Sequence, residues 1–414
     1  MRKNEAGSGP LLSLEEEMMF DKEATGNKAL SESPMMFGKW RDLRLEQTRK
    51  VHFGPPDPMS GYPVPMEEFG ENGDLTLRYY APTGTEMYFE VGRYNRMRRI
   101  EMTKRPDGVF EGTLKYDPEF KGFMAVAFYL DGAPVINNKM KLNAGGQVFY
   151  NYIEIPDTEM PYILIKDVPH GSVSKEIYFS HAVGDWMRCM VYLPPSYHEG
   201  GEYPVLYLQD GALGSELAWI FGTKTPYMMD NLIAEGKVRP FIIVTNDPMM
   251  QLPYEMEAVD NFDGFEQTII EDCIPFIDSR FRTIPDKWHR GFAGFSLGSM
   301  ETTYMGSNHP EAFGWLGILS GYLRRRDSHP DYEQNPYLYR LTEEFVNENF
   351  RLFFRCMGDM DGNFPEFLED DKFLEGLGAT KAKSYVRRVY EKTIHDVNAE
   401  RKAFLDLAPM LFRD

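Results

Sequence analysis

The sequence predicts an α/β chain in which a mostly parallel sheet carries helices on both faces and follows an all-β sandwich. Three observations predict it. From about residue 157, strand-like apolar runs alternate with helical patterns. Between about 45 and 155, short strand-like runs succeed one another with turn residues between them and no long helical pattern. One apolar run ends in Gly294-Phe295-Ser296-Leu297-Gly298, directly ahead of a helical pattern. At 414 residues the chain exceeds one ordinary domain, since roughly 100–200 residues make one. Hydrophobic residues at 42% and charged residues at 26% describe a packed globular chain and exclude disorder over most of its length.

The elements justify the class in order. Residues 1–44 mix Gly, Ser, Glu, Lys and Met without a period and read as a terminal arm or tail. The β portion, 45–156, contains LTLRYYAP (75–82) and EMYFEVGR (86–93), rich in β-branched and aromatic residues. Residues 98–116 read as a hairpin turning at Arg105-Pro106-Asp107-Gly108, and 123–137 as a second turning at Asp131-Gly132. Aromatic residues such as Tyr79, Tyr80, Tyr88 and Phe89 alternate along these strands, so half of them belong to a core. The portion 157–414 holds eight strand-like runs, at 175–181, 187–195, 203–211, 239–247, 289–296, 314–321, 350–358 and 384–391. Helical patterns lie at 225–237, 265–281, 299–310 and 398–412. The strands are nearly continuous in apolar residues, as parallel strands buried on both faces must be.

Charge and cysteine content narrow the function classes. Lys and Arg total 45 against 64 Asp and Glu, a net charge of −19, which disfavours nucleic acid and other polyanions. No run approaches the ~18 apolar residues of a membrane span. The basic start MRKNEAGSGP is followed by acidic residues before any apolar core forms, unlike a signal peptide. Cys189, Cys273 and Cys356 are odd in number and far apart, with no CxxC. They make neither a disulfide framework nor a metal site, and a cytoplasmic location is expected.

The chemistry centres on Gly294-x-Ser296-x-Gly298. A serine on a sharp strand-to-helix turn stands above the sheet edge, and glycines on either side allow the close backbone approach. The amide of Leu297, at the helix N-terminus, can then point at an oxyanion. A serine hydroxyl needs a base. Of the three later histidines, His309 follows the elbow helix as a capping or packing residue, and His329 lies in a polar excursion. His395 stands between the last strand and the last helix, the position that follows serine and acid in chain order and so suits the base. The acid should follow the penultimate strand, where Asp359 and Asp361 both qualify. The spacing Asp359-x-Asp361-x-Asn363 echoes a calcium loop, but Phe364 replaces its glycine and Asp370 its glutamate, so no metal is expected. The second oxyanion amide should come from the turn Asp210-Gly211-Ala212 after the third strand, with Ala212 as the donor. Asp210 and Gly211 are candidate substrate contacts at that strand tip. Trp219, with Phe221 and Tyr227, could line an acyl pocket, and Met249 lies in a Met-rich loop after the fourth strand.

The runs YPVLYLQDG, MDNLIAEGK, FIDSRFRT, GFSLG and NHPEAFGWLGILSG resemble the esterase family of α/β-hydrolases. That family holds the feruloyl and acetyl-xylan esterases (carbohydrate esterase family one), esterase D and the enterochelin esterases. The resemblance covers roughly 157–414 and implies an α/β-hydrolase sheet; the 45–156 segment is similar to the immunoglobulin-like domain that precedes such esterases. The family's Gly-x-x-Asp maps onto Gly358 to Asp361 and favours Asp361 over Asp359 as the acid beside Ser296 and His395. Two departures stand out. The family's His-Gly after the third strand is Asp210-Gly211 here, as in enterochelin-esterase-like members, and its Gly-His-x-Trp is Ile394-His395-Asp396-Val397. The resemblance implies a serine carboxylesterase on hydroxycinnamoyl or acetyl sugar esters, with a siderophore trilactone esterase as the alternative enzyme. A non-catalytic binding protein on a hydrolase fold is the alternative of another class. No cofactor is implied; the partner is a small-molecule or oligosaccharide ester. The β portion is expected to shape the rim of the site or a homodimer interface, and not to bind polysaccharide.

Overall fold

The computed structural model describes residues 66–413 except 94–95, 119, 146–147, 213, 249–262 and 324–336. The arm at 1–44, Met249 and His329 therefore lie outside the described residues.

Two sheets divide the chain. The first is wholly antiparallel and runs β1 (Glu67–Phe69), β2 (Leu75–Tyr80), β3 (Met87–Arg93), β4 (Arg96–Lys104), β5 (Val109–Leu114), β6 (Gly122–Leu130), β7 (Ala133–Val135), β8 (Leu142–Gly145) and β9 (Val148–Ile155). Its strand order is β1-β2-β5-β4-β3-β6-β9-β8, with β7 paired to β6. Both turns read from the sequence close hairpins: Arg105 donates its N–H to the Val109 carbonyl at 2.7 Å, and Asp131 and Gly132 take φ of 49° and 81°. Positive φ at both central positions gives a twist that matches the strands. β4 pairs with β3 along its length and with β5 only at Thr103 and Lys104, so the sheet folds over a core that includes Leu77, Phe89, Phe110, Met124 and Phe128. Phe89 is buried there, while Tyr88 lies partly exposed, stacked 4.7 Å from Tyr129.

The second sheet has eight strands: β10 (Ser172–Ser180), β11 (Asp185–Leu193), β12 (Val205–Gln209), β13 (Ile242–Asn246), β14 (Arg290–Phe295), β15 (Trp315–Leu319), β16 (Leu352–Gly358) and β17 (Tyr385–Tyr390). Their order is β10-β11-β13-β12-β14-β15-β16-β17, antiparallel through β11–β13 and parallel from β13 onward. Each of the eight runs read from the sequence is a strand, and β12 to β16 are buried at nearly every position, as a double-faced sheet requires. This is the α/β-hydrolase fold, with an all-β region ahead of it.

Helices cover both faces: α1 (Ala218–Phe221), α2 (Thr225–Ala234), α3 (Asp263–Gln267, continued by a π segment Thr268–Cys273 and Ile274–Arg280), α4 (Leu297–Asn308), α5 (Glu343–Asn349), α6 (Phe364–Leu377) and α7 (Val397–Leu407). One face packs Phe265, Ile277, Phe292 and Phe353, the other Trp219, Met229, Phe354 and Phe404. Among the described residues no helix is long and apolar enough to cross a membrane. The three cysteines are buried and unbridged.

The two sheets meet through a polar seam. Arg401 of α7 makes paired bonds of 2.7 and 3.0 Å to the Glu154 carboxylate on β9, which Lys224 also approaches at 3.1 Å. Asn398 of α7 accepts from the Phe123 N–H at 2.9 Å and donates to its carbonyl at 3.1 Å.

Candidate active site

Ser296 stands between β14 and α4 with φ 56° and ψ −114°. Backbone in this region costs a non-glycine residue about 1–3 kcal/mol and persists only where the surroundings over-determine it. The surroundings do so here. The Ser296 N–H donates to Leu319 O at 3.0 Å, and its carbonyl accepts from the Ser299 N–H at 3.0 Å and the Ser299 hydroxyl at 2.6 Å. A Cβ at Gly294 would collide with the Gly298 carbonyl, and one at Gly298 would lie 2.7 Å from Asp210 O. Both glycines are therefore demanded by contact, and the Gly298 N–H uses that closeness to donate to Asp210 O at 3.0 Å. The elbow is thus clamped to the tip of β12.

That clamp brings the second turn to the serine. A Cβ on Gly211 would lie 3.0 Å from the Ser296 Cβ and 3.5 Å from its Oγ. Ala212 follows, exposed, on the same turn. Leu297 is the first residue of α4, and a first-turn N–H has no acceptor within its own helix. The Asp210 carboxyl is held inside its own turn by the Gly211 and Ser215 amides. Burial pushes its pKa up to about 6 against the opposing pull of those amides and of His395; nearby Asp247 adds to the rise.

His395 reaches the same place from the loop after β17. Its Nδ1 lies 2.7 Å from Asp361 Oδ2, and its ring sits 4.6 Å from the Phe295 ring, centre to centre. Asp361 is buried and its other oxygen accepts from the Asn363 N–H at 2.9 Å. Asp359, two residues earlier, is exposed and accepts from the Thr393 N–H at 3.4 Å instead. Of the two candidate acids, Asp361 is the one at the histidine. His309 caps the end of α4 and pairs with Glu266 and Glu311, away from the serine turn.

Trp219 corrects the expectation of an acyl-pocket wall. It is completely buried, its indole N–H donates to Gln209 O at 2.9 Å, and its ring packs against Phe404. A large aromatic whose polar atom is already used serves the core. Phe221 and Tyr227 are partly exposed.

Several residues at the site carried no readable signal. Glu400 on α7 is buried, accepts a hydrogen bond from the Thr223 hydroxyl, and is pushed up to about 8 by burial and by Asp210. Tyr150 comes from β9; its hydroxyl accepts from Asn143 Nδ2 at 2.8 Å, and burial with the charges of Glu400 and Asp210 lifts it to about 12. Glu301 on α4 is wholly buried and held well above the carboxylate range by burial, Asp247 and Asp210. Burial thus raises the pKa of three neighbouring carboxyls, Asp210, Glu301 and Glu400. Asp396 was readable, since an aspartate just ahead of a helical pattern is an N-cap signal.

Comparison with known proteins bears on this arrangement. A family model described as "Putative esterase" matches residues 180–397. An endo-1,4-beta-xylanase/feruloyl esterase of Xylanibacter ruminicola is 31% identical over 374 residues, 86% of this chain and 47% of that protein. Endo-1,4-beta-xylanase Y of Acetivibrio thermocellus is 28% identical over 36% of this chain and 14% of its own length. The chain thus spans about half the length of the first relative and less of the second. Among solved structures, a ferulic acid esterase from Anaeromyces mucronatus in complex with ferulic acid has a TM-score of 0.51 at 21% identity, covering 61% of this chain and 94% of that one. Ferric enterobactin esterase from Salmonella typhimurium has 0.56 at 14% identity, over 84% of this chain and 95% of its own. These structural likenesses concern the fold.

Proposed function

The chain belongs to the esterase family matched over residues 180–397, and from that premise we propose that it is a serine carboxylesterase acting on hydroxycinnamoyl (feruloyl) or acetyl esters of plant-derived sugars. The observation that carries this reading is the Asp361–His395 hydrogen bond of 2.7 Å at an elbow serine whose Cβ lies against the Gly211 backbone. The Xylanibacter ruminicola relative, described as a xylanase and feruloyl esterase, supports the hydroxycinnamoyl class.

In this mechanism the Ser296 oxygen attacks the ester carbonyl carbon and gives its proton to His395. Asp361 accepts the other imidazole N–H, fixes its tautomer and stabilises the imidazolium. The carbonyl electron pair moves to oxygen, where the Leu297 and Ala212 amides donate to it. Collapse expels the sugar alkoxide, which takes the proton from His395 and leaves an acyl-serine. Water then repeats the sequence, releasing the acid and restoring the hydroxyl. Asp210 and Gly211 shape the turn that presents Ala212. The same reading takes residues 1–44 as an arm, 45–156 as an immunoglobulin-like domain and 157–414 as the hydrolase domain, which leaves the arm and the β region open to a homodimer contact.

A second reading, a siderophore trilactone esterase, is favoured by one observation. The likeness to ferric enterobactin esterase covers 84% of the chain and so extends beyond the hydrolase sheet into the β region. The test is release of free acid from methyl ferulate, a feruloylated arabinose, an acetylated xylo-oligosaccharide and a catecholate trilactone, with Ser296→Ala beside the wild type. Turnover of the feruloyl or acetyl esters, lost by on the order of 10³-fold or more in the variant, is expected. Turnover of the trilactone alone would transfer the assignment. No turnover of any ester by a protein of unchanged thermal stability would leave a binding protein on a hydrolase fold.

A further inference from the structure

The loop that carries His395 is anchored from both sides. On the hydrolase side, Asp361 holds the ring, and the Thr393 carbonyl accepts from the Met360 N–H at 3.1 Å. On the other side the anchors come from the N-terminal sheet. Asp396, the residue after the histidine, caps α7 by accepting from the Ala399 N–H at 3.0 Å with Oδ1. Its Oδ2 accepts from Arg93 Nε at 2.5 Å, across 303 residues of chain. Asn398 clasps the Phe123 backbone in both directions, and a Cβ at Gly122, whose φ is +75°, would collide with the Asn398 amide oxygen. β3, which ends at Arg93, and β6, which carries Gly122 and Phe123, are paired neighbours in that sheet. Two adjacent strands of the β region therefore grip the segment that begins one residue after His395.

The Arg93–Asp396 pair is the informative part. Its side chains are 18% and 9% exposed, so the bond is largely shielded from water and from the screening that weakens surface pairs. Consecutive Cα atoms are about 3.8 Å apart, so fixing the Asp396 side chain fixes the backbone from which the imidazole hangs. The Arg93 guanidinium bonds the Asp396 carboxylate, while Asp361 holds the histidine ring at Nδ1.

We infer that Arg93 is a positioning residue for His395, supplied by the β region and acting through Asp396. The β region is then part of the catalytic apparatus, and the hydrolase sheet holds an incomplete site without it. The inference rests on the assignment of Ser296 and His395 as nucleophile and base. A base displaced by about 1 Å costs on the order of 10² in rate, which sets the size of the effect.

The test uses the full chain in three forms, Arg93→Ala, Arg93→Lys and Asp396→Asn, beside the wild type and Ser296→Ala. The asparagine keeps a capping oxygen for α7 and replaces the acceptor that faces Arg93 and Asn398 with an amide donor, so it stays informative if Arg93→Ala fails to fold. Two readouts are taken at a temperature where each protein is folded by circular dichroism. One is the split of kcat and KM on the best ester. The other is the rate at which a fluorophosphonate probe labels the protein, with Ser296 displacing fluoride; this needs an activated serine and no particular acyl pocket. We expect Arg93→Ala and Asp396→Asn to lower kcat and labelling together by about 10- to 100-fold with KM within about threefold, and Arg93→Lys to recover most of the loss. Labelling of Arg93→Ala and Asp396→Asn at the wild-type rate, with only a lower melting temperature, overturns the inference and leaves the triad reading intact. A wild type that is not labelled at Ser296 overturns the triad reading itself, and this inference with it.

Discussion

Single residues at the site are held in states that water would not choose, and Glu400 makes this measurable. Its carboxyl is buried, bonded to the Thr223 hydroxyl, and lifted to about 8 by burial first and the Asp210 charge second, against the pull of Arg401. The folded pKa lies above the model value of 4.5, so the folded chain holds a proton that the unfolded chain releases. Its penalty is absent below that ordinary value, grows as pH rises from 4.5 to about 8, and is constant above. Glu400→Gln mimics the neutral acid and keeps an acceptor for Thr223. Thermal denaturation of the variant and the wild type at pH 5 and pH 9 should show a larger stabilisation at the higher pH, on the order of a few kcal/mol at most. Equal shifts at the two values would mean that the carboxyl is ionised in the fold throughout this range. Ser296 is the other residue in a costly state, with φ 56°. Its strain is held by its backbone bonds to Leu319 and Ser299 and by the two flanking glycines.

At the scale of elements, the site is a junction of four strand ends, those of β12, β14, β16 and β17, and its precision depends on how closely α4 can approach β12. A Cβ at Gly298 would stand 2.7 Å from Asp210 O and 2.8 Å from Gln209 Cβ. One of those is backbone and cannot swing aside. Gly298→Ala should therefore destabilise by about 1–3 kcal/mol, and should lower kcat by a larger factor than the stability loss implies, because the Gly298 N–H would leave Asp210 O and the Leu297 amide would move with it. Steady-state kinetics below the melting transition check this; unchanged kcat would show that the elbow tolerates a wider gap. The same closeness explains what was legible in the sequence. Gly-x-Ser-x-Gly after an apolar strand is a local pattern, and so are the Asp131-Gly132 turn and the continuous apolar strands; each becomes the expected element. α6 was not legible. Its segment FPEFLEDDKFLEGL is acidic throughout, and the residues it buries include Glu366 and Asp370 beside Phe367 and Leu374. Asp370 accepts from the Leu323 N–H at 2.6 Å, and Asp371 pairs with Arg355 of β16 at 2.9 Å. The helix docks through these carboxylates as well as through Phe367 and Leu374, and its many acidic residues obscure the apolar positions. Trp219 failed in the opposite sense: it follows the turn after β12 in sequence, but α1 folds it back so that Gln209 takes its N–H.

Over the whole molecule, the two sheets behave as one body only if their polar seam holds. The seam centres on Glu154, which accepts from Arg401 at 2.7 and 3.0 Å and from Lys224 at 3.1 Å. Arg401 is completely buried and Lys224 nearly so. None of this could be read from the chain, since Glu154 and Arg401 are 247 residues apart and neither sits in a motif. Burial alone would raise the Glu154 pKa, but the two cations outweigh it and bring it down to about 2. A depressed carboxylate stabilises the fold above its ordinary pKa, here 4.5, and loses that contribution as pH falls through about 2. Glu154→Gln leaves two buried cations without their counter-charge, which typically costs about 3–5 kcal/mol. The tryptophans of the described residues, Trp186, Trp219, Trp288 and Trp315, all lie in the hydrolase portion. With Trp40, which lies outside the described residues, replaced by Phe, their fluorescence follows that part, while far-UV circular dichroism follows both. In the wild type the two transitions should coincide in urea. In Glu154→Gln both should move to lower urea together at pH 7, and the gap from wild type should narrow as pH is lowered from 5 toward 2. If dichroism alone moved while fluorescence and esterase activity stayed at wild-type values, the β region would be a passenger. Its grip on the loop after His395 could then contribute nothing to the site.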